Sequence, residues 1–170
     1  MWRYTGKDRP DFAQVPGEGQ ESVWDYPRPP ALVTCERRVL VTCTHGTLAD
    51  SRKSYRILET ASPPTFYVPT ADVDMRRLVR VGGASMCEWK GAAHYYALAE
   101  DGSQLPVAWA YAAPQPAFAS IAEYVSFYPG RVACFVDDER VRPQPGGFYG
   151  GWVTDDVAGP VKGEPSTGHW

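Results

Sequence analysis

Five residues from Cys87 to Gly91 combine a thiol, a carboxylate, an indole ring and an amine, and the apolar, aromatic stretch His94–Leu98 follows them. An aromatic face beside a charge is typical of the rim of a ligand pocket, because the ring binds flat groups and attracts cations. Lys90 can bind an anionic group or, where water is excluded, act as a base or an amine nucleophile. The segment therefore predicts a small-molecule site, although no known catalytic signature occurs in the chain.

Glu59 is the carboxylate that we expect to set the charge state of Lys90. The alternation of the strand-like stretch 55–60 places Glu59 on the same face as apolar residues, where a carboxyl group needs a partner or its pKa rises. The alternative is that Glu59 lies solvated at the end of this strand, because a Pro-Pro pair follows it closely.

Aromatic and basic side chains elsewhere complete the predicted pocket. Lys90 and Glu59 are the expected catalytic residues, and the expected ligand-binding residues are Trp24, Arg28, Tyr67, Trp89, Tyr95, Trp109 and Tyr111. The alternative for the aromatic residues is that they fill the core while Lys90 snorkels to water. For Trp24, which precedes a proline-rich segment, the alternative is a clasp that anchors the N-terminal arm.

No metal or cofactor is expected. The four cysteines and three histidines are dispersed without a Cys-x-x-Cys pair, whereas structural zinc sites draw their ligands in close pairs. In a reducing compartment the cysteines are expected to be buried or half-buried and to act as small hydrophobic residues.

Charge and hydropathy restrict the partners. A formal net charge of −3 and a pI of about 5.6 do not favour nucleic acid, whose binding usually needs a basic surface. The chain has no apolar run that could cross a bilayer and no hydrophobic signal segment in its first residues. We therefore expect a cytoplasmic protein without membrane contact, whose partner is a small molecule.

Composition and alternation predict a mainly β fold. The chain has 16 glycines and 16 prolines with 13% aromatic residues, which favours short strands joined by many turns. Hairpins are predicted around His45-Gly46 and around Asp101-Gly102. The helical spacing of Phe118, Ile121 and later residues predicts one short helix near residues 117–128. We thus expect a single compact domain of short coiled antiparallel sheets with that helix.

Three parts of the chain differ in composition. Residues 1–20 are polar and rich in proline and glycine, and they are read as an N-terminal arm. Residues 21–142 carry the predicted strands and form the main domain. Residues 143–170 are rich in glycine and large aromatic residues, and are expected to pack on the domain because exposed aromatic rings lower solubility.

The motifs together resemble the domain of unknown function 427 family, whose label likens it to nucleotidyltransferases. The resemblance rests on Val23–Pro27, Leu58–Thr60, Pro63–Tyr67, Cys87–Gly91, Trp109–Tyr111 and Ile121–Tyr128. It covers roughly residues 21–141, and the glycine-rich tail resembles that of longer actinobacterial members. The chain departs from the family pattern at Ser62, where histidine is frequent, and at Glu88, where proline is frequent. The resemblance implies a compact, mostly β domain and no established activity.

Nucleotidyl transfer is the least favoured function. This chemistry needs paired carboxylates to hold Mg²⁺ after a Gly-Ser turn that cradles phosphates. Gly82–Ser85 fits such a turn, but the only Asp-x-Asp pair, Asp72 and Asp74, precedes it. The stronger alternative to a small-molecule pocket is a non-catalytic interaction module, in which the aromatic tail and the segment Trp24–Pro30 mediate a protein contact or a homodimer.

Overall fold

The structure is a computed structural model, and it describes residues 2–170. In chain order these residues form strands β1 (Glu21–Ser22), β2 (Ala31–Cys35), β3 (Val39–Cys43), β4 (Gly46–Ser51), β5 (Ser54–Leu58), β6 (Thr65–Tyr67), β7 (Leu78–Cys87), β8 (Gly91–Leu98), β9 (Ala108–Ala110), β10 (Val125–Phe127), β11 (Ala133–Val136), β12 (Glu139–Arg140), β13 (Arg142–Pro143), β14 (Trp152–Val153) and β15 (Val157–Ala158). Short 3-10 helices span Val23–Asp25, Thr70–Asp72, Met75–Arg77, Pro116–Ile121 and Pro165–Thr167.

The strands form two four-stranded antiparallel sheets and three smaller sheets. Their orders are β10-β9-β8-β7, β12-β11-β3-β4, β2-β5-β6, β13-β14 and β1-β15. Strands make up 39% of the chain and helical turns 11%, so the prediction of a mainly β, single compact domain is confirmed. Both predicted hairpins are present: β3 pairs with β4, and β8 pairs with β9.

The predicted helix ends at Ile121, before Tyr128. Residues 116–121 form a 3-10 helix, and Val125–Phe127 then forms β10. Val125 and Val68 exchange two backbone hydrogen bonds of 2.8 Å, and β10 also pairs with β9. Backbone pairing with two elements outweighs the helical spacing of the side chains, because strand pairing satisfies the backbone of this buried segment.

The largest core lies between the two four-stranded sheets. Strand alternation divides the side chains between this core and a second, aromatic cluster on the other face of β8 and β9: Phe66 and Val68 face the first core, whereas Tyr67 faces the second. Trp152 is fully buried in the first core, stacks on Phe66 at 4.8 Å and donates its Nε1 hydrogen bond to Phe127 O.

The two ends of the chain pack against each other. Glu21 in β1 pairs in parallel with Val157 in β15, and Phe12 stacks on Trp170 with ring centroids 5.1 Å apart. The predicted boundaries after residues 20 and 142 are not tested by these contacts and stay predictions.

All four cysteines are free. Cys35 and Cys134 are buried, and Cys43 and Cys87 are half-buried. Burial raises the pKa of Cys134, which keeps this thiol protonated and inert. The expected packing role of the cysteines agrees with these positions.

Candidate functional site

The segment singled out in the sequence is the turn between β7 and β8. Cys87 and Gly91 form the last register pair of the two strands, so Glu88, Trp89 and Lys90 are the turn itself. Gly91 has φ +100°, a left-handed value that a side chain disfavours. The hairpin therefore presents a carboxylate, an indole and an amine at one end of the sheet.

Six of the predicted site residues come together around this turn. Tyr67, Trp109 and Tyr111 are buried members of the aromatic cluster, and Trp89 and Tyr95 pack against it. Lys90 Nζ lies 5.9 Å from the centroid of the Tyr111 ring, which is within reach of a cation–π contact.

Polar contacts connect the rings of this cluster. Trp109 donates its Nε1 hydrogen bond to the Tyr67 hydroxyl at 3.3 Å, and the hydroxyls of Tyr95 and Ser85 lie 2.6 Å apart. Trp89 Nε1 is buried without a hydrogen-bond partner among residues 2–170. A buried donor of this kind is unusual, because its desolvation is not compensated.

Three phenols of the cluster have raised pKa values. Burial raises the pKa of Tyr67 and of Tyr111 well above the ordinary value. Burial, together with the neighbouring Tyr95, raises the pKa of Tyr128 to about 12. All three hydroxyls therefore keep their protons at neutral pH.

The C-terminal tail covers one side of the cluster. Gly150 lies so close to the Trp109 ring that a Cβ at position 150 would overlap Trp109 Cη2. Trp109 keeps only 7% of its surface exposed. Trp109 therefore offers almost no surface to a ligand in this conformation.

Trp24, Arg28 and Glu59 lie outside the aromatic cluster. The Trp24 ring is completely buried, with the rings of Tyr4, Phe12 and Trp170 at 5.2, 5.2 and 5.3 Å. Its neighbours come from both ends of the chain, which is the arrangement of a clasp. The ligand-binding role predicted for Trp24 stays untested.

Arg28 is the partner of Glu59. The Arg28 side chain is 1% exposed and donates from Nε to Glu59 Oε1 at 3.1 Å. Its other nitrogens donate to the carbonyl oxygens of Tyr4 and Thr60. Glu59 lies just beyond the end of β5 and is 24% exposed. The expected pairing of Glu59 with Lys90 does not occur, since the ion pair of Glu59 is with Arg28.

Lys162 is a buried lysine beside Trp2 to which the sequence reasoning gave no role. It is 7% exposed, and its Nζ lies 5.0 Å from the Trp2 ring centroid and 5.4 Å from that of Tyr149. Burial and the charge of Arg28 lower the pKa of Lys162, while Glu59 and Glu88 partly oppose the shift. A signal was present: Lys162 is the only lysine or arginine of residues 143–170.

An open cleft of about 560 Å³ lies beside the turn, between the two ends of the chain. It is lined by Trp2, Arg3, Glu88 and His169. The volume is in the range of small-molecule sites, roughly 300–1,000 Å³. The sequence predicts no role for Trp2, Arg3 or His169, whereas Glu88 belongs to the predicted site segment 87–91 and also departs from the family pattern.

The residues that nucleotidyl transfer would need have other structural roles in this protein. Gly82 and Gly83 form an irregularity within β7 and not a turn before a helix. Asp72 accepts a hydrogen bond from Ser51 at 2.6 Å, and Asp74 accepts from Arg76. Across residues 2–170, no three His, Cys, Asp or Glu side chains are grouped so that they could hold a metal ion.

None of the helices in the described part of the chain is both long and apolar enough to cross a membrane.

Comparison with known proteins supports one assignment. Among curated proteins no sequence matches this chain. A family model described as a domain of unknown function (DUF427) matches residues 31–138, which is more than half of the chain. The match includes the turn 87–91 and the aromatic cluster, but Trp24, Arg28 and most of the cleft lie outside it. By this match, the chain belongs to the DUF427 family of domains of unknown function.

Proposed function

We propose that this protein binds a small zwitterionic molecule in the cleft between Trp2, Arg3, Glu88 and His169. The observation that carries the proposal is a cleft of about 560 Å³ in which charges of both signs face an aromatic ring. Such a lining suits a ligand that carries a carboxylate, an amine and an apolar body.

The charges of the cleft are available to a ligand. Within residues 2–170, neither Arg3 nor Glu88 has an ion-pair partner, whereas many other charged residues of the protein are paired. Arg3 offers a forked donor for a carboxylate. Glu88 offers an acceptor for an ammonium group, at the end of the β7–β8 hairpin.

Two basic side chains contact the Trp2 ring, which is the aromatic residue of the cleft. The Trp2 ring lies 4.2 Å from Arg28 Cζ and 5.0 Å from Lys162 Nζ. Two cation–π contacts with nearly buried side chains restrain the ring. Binding to a restrained ring costs less conformational entropy than binding to a mobile one, because the ring is already ordered.

The proposal concerns binding and not catalysis. Lys90 and Glu59 stay predictions as catalytic residues, and Tyr67, Trp89, Tyr95, Trp109 and Tyr111 stay predictions as ligand contacts. Glu59 does not line the cleft. In our proposal it acts only on the pKa of Lys162, which packs against the Trp2 ring.

Three related probes test the binding proposal. L-phenylalanine carries both charges, phenethylamine carries only the amine, and 3-phenylpropionate carries only the carboxylate. We expect isothermal titration calorimetry to give the tightest binding for L-phenylalanine. Glu88→Gln should weaken the two amine-bearing probes, and Arg3→Gln should weaken the two carboxylate-bearing probes.

The matched control is Glu18→Gln, which removes the same charge from an exposed position outside the cleft. Equal binding of the three probes, or equal weakening by Glu88→Gln and Glu18→Gln, would overturn the proposal. No binding of any probe at millimolar concentration would also overturn it.

A second candidate function is homodimer formation through Phe148. Phe148 is 76% exposed and Tyr149 is 40% exposed, and their rings contact each other edge to face at 4.9 Å. Exposed aromatic pairs are enriched at protein interfaces. Glycines on both sides of the pair let the segment adapt to a partner.

Phe148→Ser tests the dimer without disturbing the fold. Truncation of the tail is unsuitable because Trp152 is fully buried and β15 pairs with β1. Sedimentation equilibrium should show a dimer for the unchanged protein and a monomer for Phe148→Ser. A monomer in both cases contradicts this second candidate.

The finer expectations from the sequence stay proposals. They are the actinobacterial type suggested by the tail, a cytoplasmic location, and a lack of nucleic-acid and membrane partners.

A further inference from the structure

A second groove, of about 380 Å³, lies at one end of the sheet β12-β11-β3-β4. Its polar lining comes from Thr42 and Thr44 of the β3–β4 hairpin, Asp101, Arg131 and Arg140. None of these residues lines the cleft described above. We call it the arginine groove.

The two arginines of the groove differ from most arginines of this protein. Arginines that pair with carboxylates are Arg9, Arg28, Arg37, Arg38, Arg56, Arg76, Arg77 and Arg142. Within residues 2–170, neither Arg131 nor Arg140 has such a partner. Two positive charges therefore face one groove of a protein whose formal net charge is −3.

Both guanidinium groups rest on aromatic rings. Arg131 Cζ lies 4.3 Å from the Tyr128 ring centroid, and Arg131 also donates a hydrogen bond to Pro106 O. Arg140 Cζ lies 5.4 Å from the Phe135 ring centroid. A ring supports the flat face of a guanidinium and leaves its edge donors free for an anion.

Hydroxyl groups add to the donors of the groove. The side chains of Thr42 and Thr44 make no hydrogen bond to the rest of the described chain, so both hydroxyls are open to a ligand. Two guanidinium groups and two hydroxyls supply more donors than the two oxygens of a carboxylate accept. A phosphate monoester, with three terminal oxygens and nearly two negative charges, matches this set better.

Asp101, the remaining polar residue of the groove, favours an organic phosphate over inorganic phosphate. Asp101 Oδ1 lies 3.2 Å from His45 Nε2, and its carboxylate repels a bare anion but accepts hydrogen bonds from hydroxyl groups. The groove is also larger than a phosphate ion needs. We propose that the arginine groove binds a small phosphate monoester, with the phosphate between Arg131 and Arg140 and a hydroxylated body towards Asp101.

Ribose 5-phosphate is the probe for this site, and ribose and malonate are its comparisons. Calorimetry at low ionic strength, where screening is weak, should detect ribose 5-phosphate but not ribose. Malonate carries two carboxylates and should bind at least tenfold more weakly. Arg140→Gln should weaken ribose 5-phosphate binding about tenfold or more, since it removes a charge-assisted hydrogen bond.

Arg76→Gln is the matched control, because it removes the same charge from a side chain that is 91% exposed. It should leave the affinity unchanged, as should Glu88→Gln in the other cleft. Thr42→Val provides a second variant that alters no charge, and it should weaken binding several-fold.

Four results would overturn the inference. They are no binding of ribose 5-phosphate at millimolar concentration, equal binding of ribose, equal binding of malonate, and equal weakening by Arg140→Gln and Arg76→Gln. The zwitterion proposal does not depend on any of them.

Discussion

Arg28 donates a hydrogen bond to Glu59 across 3.1 Å, and the Arg28 side chain is almost completely buried. The guanidinium also holds two backbone carbonyl oxygens, one from the N-terminal segment and one from the loop after β5. A buried charge without such partners would cost several kcal/mol. The contact therefore ties the start of the chain to the body and restrains the wall of the proposed cleft.

Replacing Arg28 tests this role. We expect Arg28→Ala to lower the free energy of unfolding by about 3–5 kcal/mol, because it leaves Glu59 and two carbonyl groups without their donor. The control is Arg9→Ala, since the side chains of the Arg9–Asp25 pair are 40% and 50% exposed; the expected loss is much smaller, because exposed ion pairs contribute little to stability. Urea denaturation measures both, and equal losses would contradict the role.

The contact of Gly150 with Trp109 gives a steric prediction. A Cβ at position 150 would overlap the indole ring, so Gly150→Ala should lower the free energy of unfolding by about 1–3 kcal/mol. Gly82→Ala is the control, because a Cβ at position 82 meets no atom within 4 Å. Thermal denaturation followed by tryptophan fluorescence should show a clear shift only for Gly150→Ala. A similar shift in both variants would mean that the tail does not close tightly over Trp109.

We expect His94 to make the stability of the folded protein depend on pH in mildly acidic solution. Burial, with Arg80 nearby, lowers the pKa of His94, and Glu123 only partly opposes this shift. Below the unfolded-state value of about 6.5, the unfolded chain binds a proton more readily than the folded protein. The free energy of unfolding should therefore fall as the pH drops below about 6.5. His94→Gln should remove this part of the slope in urea denaturation between about pH 7.5 and 5.5, and an unchanged slope would show that His94 does not cause it.

We expect Asp156 to cause a second loss of stability at lower pH. Burial alone raises the pKa of its carboxyl group, but the hydrogen bond from Thr154 and the charge of Arg37 outweigh burial and lower that pKa. The stabilisation is complete above the unfolded value of about 3.9 and is lost as the pH falls through the folded value. Asp156→Asn should be less stable at pH 7 and should lose less stability on acidification. Equal acid slopes for both proteins would contradict this assignment.

Local signals in the sequence were sufficient to predict the two hairpins. Alternating side chains and the pair His45-Gly46 predicted the β3–β4 hairpin, and Gly46 does adopt a positive φ of +127°. Neighbouring residues determine such turns, since only a few backbone angles are involved. The same signals misplaced the end of the helix, because Val125 pairs with Val68 from a distant part of the chain.

The sequence by itself determined the mainly β class, the DUF427 resemblance that the family match confirms, and the gathering of aromatic residues around the turn 87–91. Only the tertiary structure decided that Glu59 pairs with Arg28 rather than Lys90, that Lys162 lies buried against Trp2, and that both chain ends border a cleft. These contacts join residues far apart in the chain, so no local period or spacing encodes them. They depend on how the sheets pack and on which buried charges find partners there.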